Sequence, residues 1–164
     1  MSWQNTLTQR IRSQNNDNSR ISIIGIGHPL LGDDYVGCWI TNQWLTQEYL
    51  SKKIQVLTAE SNPENFLGPI VKFNPDHLVL LDAISGMNEA GTISLIPWTE
   101  EVMLDTYLFS TPLSKFCAFI HHETQCEITL VGINIIPSGL SMEISPTIKQ
   151  AGQQVIQALH QILL

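Results

Sequence analysis

Short, dense apolar runs alternate along the chain with longer stretches in which apolar residues recur every three or four positions. Ile21-Ser22-Ile23-Ile24 is the first run and predicts a buried strand over Arg20 to Ile26. Beyond it Val36, Trp39, Ile40 and Trp44 form one stripe at helical spacing, which predicts a helix from about Tyr35 to Leu50. Lys52-Lys53 ends that helix, where positive charge suits its negative terminus. Ile54 to Ala59 is the second strand. A helix follows from Pro63 to about Lys72, with Ser61 or Asn62 as cap and proline at its first position.

Leu78 to Leu81 is an almost continuous apolar run, as in a parallel strand covered on both faces, and it ends on Asp82. Thr92 to Ile96 makes a fourth strand. A parallel crossover needs about a dozen residues or more, so the short Gly86–Gly91 connection makes this strand antiparallel. Pro97 to Ser110 reads mostly as loop, and Pro112 to about Ile120 as a short helix. Glu127 to Val131 is the fifth strand and Gly132 to Glu143 a loop. The last helix starts at Ser145-Pro146 and buries Ile148, Ala151, Val155, Ala158, Leu159 and Ile162. The alternation is that of an α/β protein.

The first 19 residues, MSWQNTLTQRIRSQNNDNS, are polar and read as a flexible tail, leaving residues 20–164 as one domain. That tail has no apolar signal segment, and no apolar run approaches the roughly 20 residues needed to cross a bilayer. A cytoplasmic protein without membrane insertion is the expectation. A formal charge of −7 argues against nucleic acid as the partner, since phosphate binding needs clustered Lys and Arg. Cys38, Cys117 and Cys126 stand at no metal or redox spacing and read as buried or free thiols.

The chemistry concentrates in the loop GIGHPLLGDDYVG, Gly25 to Gly37, between the first strand and its helix. Ligands of α/β folds bind at the carboxyl ends of strands, where the strand order reverses. If it reverses between strands one and three, Asp34 and Asp82 flank the crevice. Such a pair binds a divalent cation or shares a proton as an acid–base dyad. Aspartates after strands also cap the next helix, and Asp33 and Asp34 stand where a cap belongs. Gly25-Ile26-Gly27 resembles the start of a dinucleotide fingerprint, with Glu60 placed for a ribose. Leu30 at the third glycine position, Pro29 in the turn and two acids at the helix start do not fit a pyrophosphate. Of the histidines, His77 precedes strand three and reads as structural, His121-His122 as a helix-end feature, and His160 as exposed. His28 lies in the first loop near Asp34. No serine-centred elbow and no HExxH motif appears.

Four segments together resemble the hydrogenase maturation endopeptidases, which trim the C-terminus of a nickel-iron hydrogenase large subunit. They are GIGHPLLGDDYVG, NPENFLGPI, NPDHLVLLDAISGMNEAGTISLI and LVGINIIPSGLSMEISPTIKQA. The second is closest to the branch serving group 4 and formate-linked enzymes. The resemblance implies a three-layer sandwich: a twisted, mostly parallel five-stranded sheet with one antiparallel strand and helices on both faces. It implies cleavage of the C-terminal extension of a nickel-loaded large-subunit precursor, the nickel belonging to the substrate and no other cofactor being needed. Asp34, the second acid of the first-loop pair, and Asp82 would contact that metal and serve catalysis. The family's third ligand is a histidine before the third helix. Here that segment is Tyr107-Leu108-Phe109-Ser110-Thr111-Pro112-Leu113, which puts Phe109, or with a gap Ser110 or Thr111, in its place. Imidazole suits nickel far better than a hydroxyl. Tyr35, His28 and Asn134 also replace the family's usual glycine, asparagine and glutamine. Three readings follow: His28 supplies the missing imidazole; two carboxylates suffice, as an aspartic-type protease or with the substrate's metal completing the shell; or the fold serves as a non-proteolytic binding or chaperone-like module.

Overall fold

The apolar runs become the strands of one sheet: β1 (Ile21–Ile26), β2 (Ile54–Glu60), β3 (His77–Ser85), β4 (Ile93–Pro97) and β5 (Glu127–Ile135). The computed structural model describes residues 1–12, 18–45, 51–86, 88–101 and 111–164, without the side chain of Thr111. The strand order is β2-β1-β3-β5-β4, parallel except for β4, which runs antiparallel to β5. The expected direction of β4 is therefore met.

Side-chain alternation sends each strand into two cores. Ile21, Ile23, Val79, Leu81, Val131 and Ile133 enter one, with α1 (Trp3–Arg12), α2 (Val36–Leu45) and α5 (Pro146–Leu163). Ile24, Leu78, Leu80, Ile128 and Leu130 enter the other, with α3 (Leu67–Phe73) and α4 (Thr111–Thr124). This is the three-layer α/β sandwich. Five of the six residues expected to line the buried face of α5 are buried, and Ile162 packs at its edge.

The polar-tail expectation fails over Trp3–Arg12. Those residues form α1, with Leu7 and Ile11 buried in the core. Two apolar side chains four positions apart suffice to dock a short helix when the rest of its surface faces water. Arg10 fastens it, its Nε donating to Thr129 Oγ1 at 2.8 Å. Strand β5 also runs past Gly132, expected to open a loop, to Ile135. Gly132 pairs beside Asp82, and a Cβ there would press on the Ile84 side chain, so the glycine answers a packing need inside the strand. The start of the Pro63 helix is a 3-10 turn, Pro63–Phe66, before α3 begins. α4 extends four residues beyond its expected end. Residues 46–50 of the expected second helix, 13–17 of the tail and 102–110 of the Pro97–Ser110 loop lie outside the described residues.

Candidate active site at the strand ends

β1 neighbours both β2 and β3, so the chain leaves it to one side for β2 and crosses back for β3. The β1/β3 boundary is the switch point at which α/β sheets open a crevice. The loop after β1 and the end of β3 meet there. α2 begins very close to the sheet: a Cβ on Gly37 would run into the carbonyl oxygens of Leu81 and Ile26. Glycine at this position lets the first turn of α2, and the acids before it, sit directly over the strand ends.

The two adjacent aspartates separate in role. They lie in a 3-10 turn, Gly32–Tyr35, that leads into α2. Asp33 does not cap that helix. Its Oδ1 accepts the Ser145 N–H at 2.7 Å and its Oδ2 the Ser145 hydroxyl at 3.0 Å. It thus holds the start of α5, whose expected cap, Ser145, spends its hydroxyl on Asp33. Asp34 turns the other way, and its Oδ2 accepts the His28 main-chain N–H at 2.9 Å.

Asp82 is half-buried near the end of β3, and its Oδ1 accepts the Ala83 N–H at 2.8 Å. Desolvation pushes its carboxyl well above the usual carboxylate range, and the charge of Asp34 pushes it the same way. The Ala83 N–H opposes both. The structure therefore brings Asp34 and Asp82 within electrostatic reach of each other. Beneath them Cys38 is buried with its thiol 3.5 Å from the Gly25 carbonyl oxygen and 3.6 Å from that of Gly27. Burial raises this thiol to about 12, with the Glu60 N–H opposing and the charges of Asp82, Glu60 and Asp34 adding to the rise. It is no nucleophile at neutral pH.

His28 joins this group through its backbone. Its ring Nδ1 accepts the Leu30 N–H at 3.1 Å, a local turn contact. Among the described residues no group of three His, Cys, Asp or Glu side chains is arranged to hold a metal, and the His28 ring contact is with its own loop. Phe109 and Ser110 lie outside the described residues, as does the Thr111 side chain. The remaining histidines make contacts of their own. His77 is fully buried, with Nε2 2.8 Å from Thr129 Oγ1. His121 Nδ1 is 2.8 Å from the Cys126 carbonyl oxygen, and exposed His122 meets Glu123. His160, expected to be exposed, is half-buried edge-on to Trp44 at 4.9 Å between ring centroids. All three cysteines are buried free thiols, as their spacing implied. Asn134 is buried and donates to the Thr92 carbonyl at 2.9 Å, holding the entry to β4.

A cleft of ≈ 270 Å³ opens beside Asp34. Leu31, Ala83, Ile84, Ile135 and Pro137 give it mainly apolar walls, with Asp34 among them. Two features of this cleft escape a sequence reading. The Asp33–Ser145 clamp and a parallel bridge between Leu31 and Ser141 both join the loop after β1 to the loop after β5. Their partners are more than a hundred positions apart, beyond the reach of any local pattern. No described helix is long and apolar enough to cross a membrane.

The sequence profile of the hydrogenase maturation proteases matches residues 41–162. A putative hydrogenase maturation protease of Methanocaldococcus jannaschii is 25% identical over 154 residues, covering 88% of each chain. The hydrogenase 2 maturation protease of Escherichia coli K12 is 29% identical over 154 residues, covering 87% of this chain and 92% of its own. The crystal structure of a NiFe hydrogenase maturation protease from Thermococcus kodakarensis KOD1 superimposes with a TM-score of 0.82 at 28% identity, over 96% of this chain and 98% of that one.

Proposed function

The chain belongs to the hydrogenase maturation protease family, and from that premise we propose that it removes the C-terminal extension of a nickel-loaded NiFe hydrogenase large-subunit precursor. Asp34 and Asp82 contact the substrate's nickel and the bond beside it. What supports this reading is the placement of Asp34 and Asp82 on either side of the β1/β3 switch point, within electrostatic reach of each other, with a cleft opening beside Asp34. Two carboxylates without imidazole hold a late transition metal weakly. Such a pair suits a metal that arrives already liganded by the substrate and leaves with it.

The raised Asp82 carboxyl favours a second reading of the chemistry. In it Asp34, whose Oδ2 accepts the His28 N–H, acts as the base, and Asp82, whose carboxyl burial pushes up, acts as the acid. The ionised acid would take a proton from water and the protonated one would polarise the scissile carbonyl, as in a carboxylate dyad. The arrangement of the described residues, which lacks a third ligand side chain, also keeps open a non-proteolytic binding module on the same fold.

Mass spectrometry of an extended large-subunit precursor separates the three. The precursor, nickel-loaded or nickel-free, is incubated with the wild-type protein or Asp34→Asn. Trimming of the nickel-loaded form alone, lost in the variant, supports metal recognition. Equal trimming of both forms supports the dyad. An intact precursor that co-purifies with the protein supports the binding module.

A further inference from the structure

Nine large apolar side chains are exposed among the described residues, and five of them belong to two loops. Leu30 and Leu31 lie in the loop after β1; Ile136, Leu140 and Met142 lie in the loop after β5. Ile136 is 72% exposed, Leu140 83% and Met142 84%. Single exposed leucines need no explanation, but a cluster on one rim does. The two loops form one surface. The Gly32 N–H donates to the Ser141 carbonyl at 2.7 Å and the Ser141 N–H to the Leu30 carbonyl at 2.9 Å. These backbone bonds tie the two loops together beside the exposed apolar side chains.

We propose that this rim is the docking surface for an apolar segment of the protein substrate that flanks its cut site. The inference rests on the reading of the cleft as the place of cleavage. The rim adjoins the cleft, since Leu31 belongs to the rim and lines the cleft beside Asp34. A chain seated on the rim therefore comes up to Asp34. Charge selects the occupant. A second copy docked through the same face would bring together the acid sites of two molecules each carrying −7, an unfavourable isologous contact. A partner that presents an apolar segment beside a cationic centre complements both parts of the surface.

The test uses the full chain with Leu140→Glu and Met142→Glu combined, beside Phe119→Glu as a control. Phe119 is 47% exposed on α4, outside both loops. Binding of the nickel-loaded precursor is measured by biolayer interferometry on the Asp34→Asn background, so that it is read without cleavage. Trimming is measured on the wild-type background. The expected result is binding weakened about tenfold or more by the rim variant and little changed by the control, with KM raised and kcat kept within about twofold. Circular dichroism melting verifies that the rim variant stays folded; Ile136→Glu is the substitute if it does not. Trimming by the wild type with binding indifferent to the rim variant overturns the docking surface and leaves the protease reading intact. Rim-dependent binding without trimming upholds the surface and overturns the protease reading. Precursor that does not bind even the chain with Asp34 intact, or a wild-type dimer in analytical ultracentrifugation that the rim variant dissolves, overturns the proposal.

Discussion

Asp33 and Asp34 are chemically the same residue side by side, and the fold gives them different work. Asp33 accepts two hydrogen bonds from Ser145 at the head of α5, one from its N–H and one from its hydroxyl. Asp33→Ala leaves that N–H and hydroxyl without their acceptor. A loss of about 1–3 kcal/mol is expected in urea unfolding, the range for charge-assisted bonds at a helix start. Asp34→Asn keeps the size and one acceptor oxygen for the His28 N–H, so stability should hardly change while trimming is lost. Asp82 behaves differently again. Because its folded-state pKa is raised, its contribution favours the fold at low pH and is lost as pH rises through that raised value. Asp82→Asn removes a half-buried ionisable group whose charged form burial and the Asp34 charge both disfavour. The expected outcome is a higher melting temperature at neutral pH together with loss of trimming, the usual opposition of stability and function at a site. A melting temperature that falls would show that the carboxylate is stabilised by something the charge balance omits. From the sequence, Asp34 and Asp82 were legible because acids after apolar runs lie at strand ends. The division between Asp33 and Asp34 was not, because it is decided by a residue 112 positions away.

Helices and strands were legible wherever a face repeats, and failed where one or two contacts decide. α5 shows its stripe over eighteen residues. α1 buries Leu7 and Ile11, with Trp3 packed at the core's edge, amid polar side chains, and Arg10 reaches Thr129, a partner no local pattern reveals. Thr129 also meets His77, so α1, β3 and β5 share one polar node near the starts of the two strands. Burial is the main force that pushes His77 down to about 4, and the Arg10 charge adds to it. Between that value and the ordinary 6.5 the unfolded chain binds a proton that the folded chain refuses. Stability therefore falls as pH drops from about 6.5 to about 4, by about 3 kcal/mol from this residue, and falls no further below that. Denaturant unfolding across this window should show the slope, and His77→Gln should flatten it. The slope would survive the substitution if other groups were its source.

At the scale of the whole molecule the site belongs to no single element. Its parts come from the loop after β1, the end of β3 and the loop after β5, gathered because β1 and β3 are neighbours at the switch point. Sequence reasoning could anticipate that gathering only on the condition that the strand order reverses between strands one and three. It could not supply the brace between the loops, since neither Leu31 nor Ser141 carries any signal of the other. Ser141→Pro tests what the brace does. Proline lacks the N–H that reaches the Leu30 carbonyl, so one of the two backbone bonds joining the loops is removed, together with the Ser141 hydroxyl's contacts to Glu143, and no side chain of the acid pair is touched. The Gly32 amide, which donates to the Ser141 carbonyl, should then exchange its hydrogen faster, while amides in the middle of β3 keep their protection. Global stability should fall by about 1 kcal/mol, the net worth of one hydrogen bond. Trimming should lose more than that implies, because the rim and Asp34 hang on the same loop and both would lose their fixed position over the strand ends. Faster exchange at Gly32 with full trimming would mean that the substrate itself orders the loops on arrival. Unchanged exchange would mean that the Asp33–Ser145 clamp alone holds them, and the double change with Asp33→Ala would then be needed to release the site.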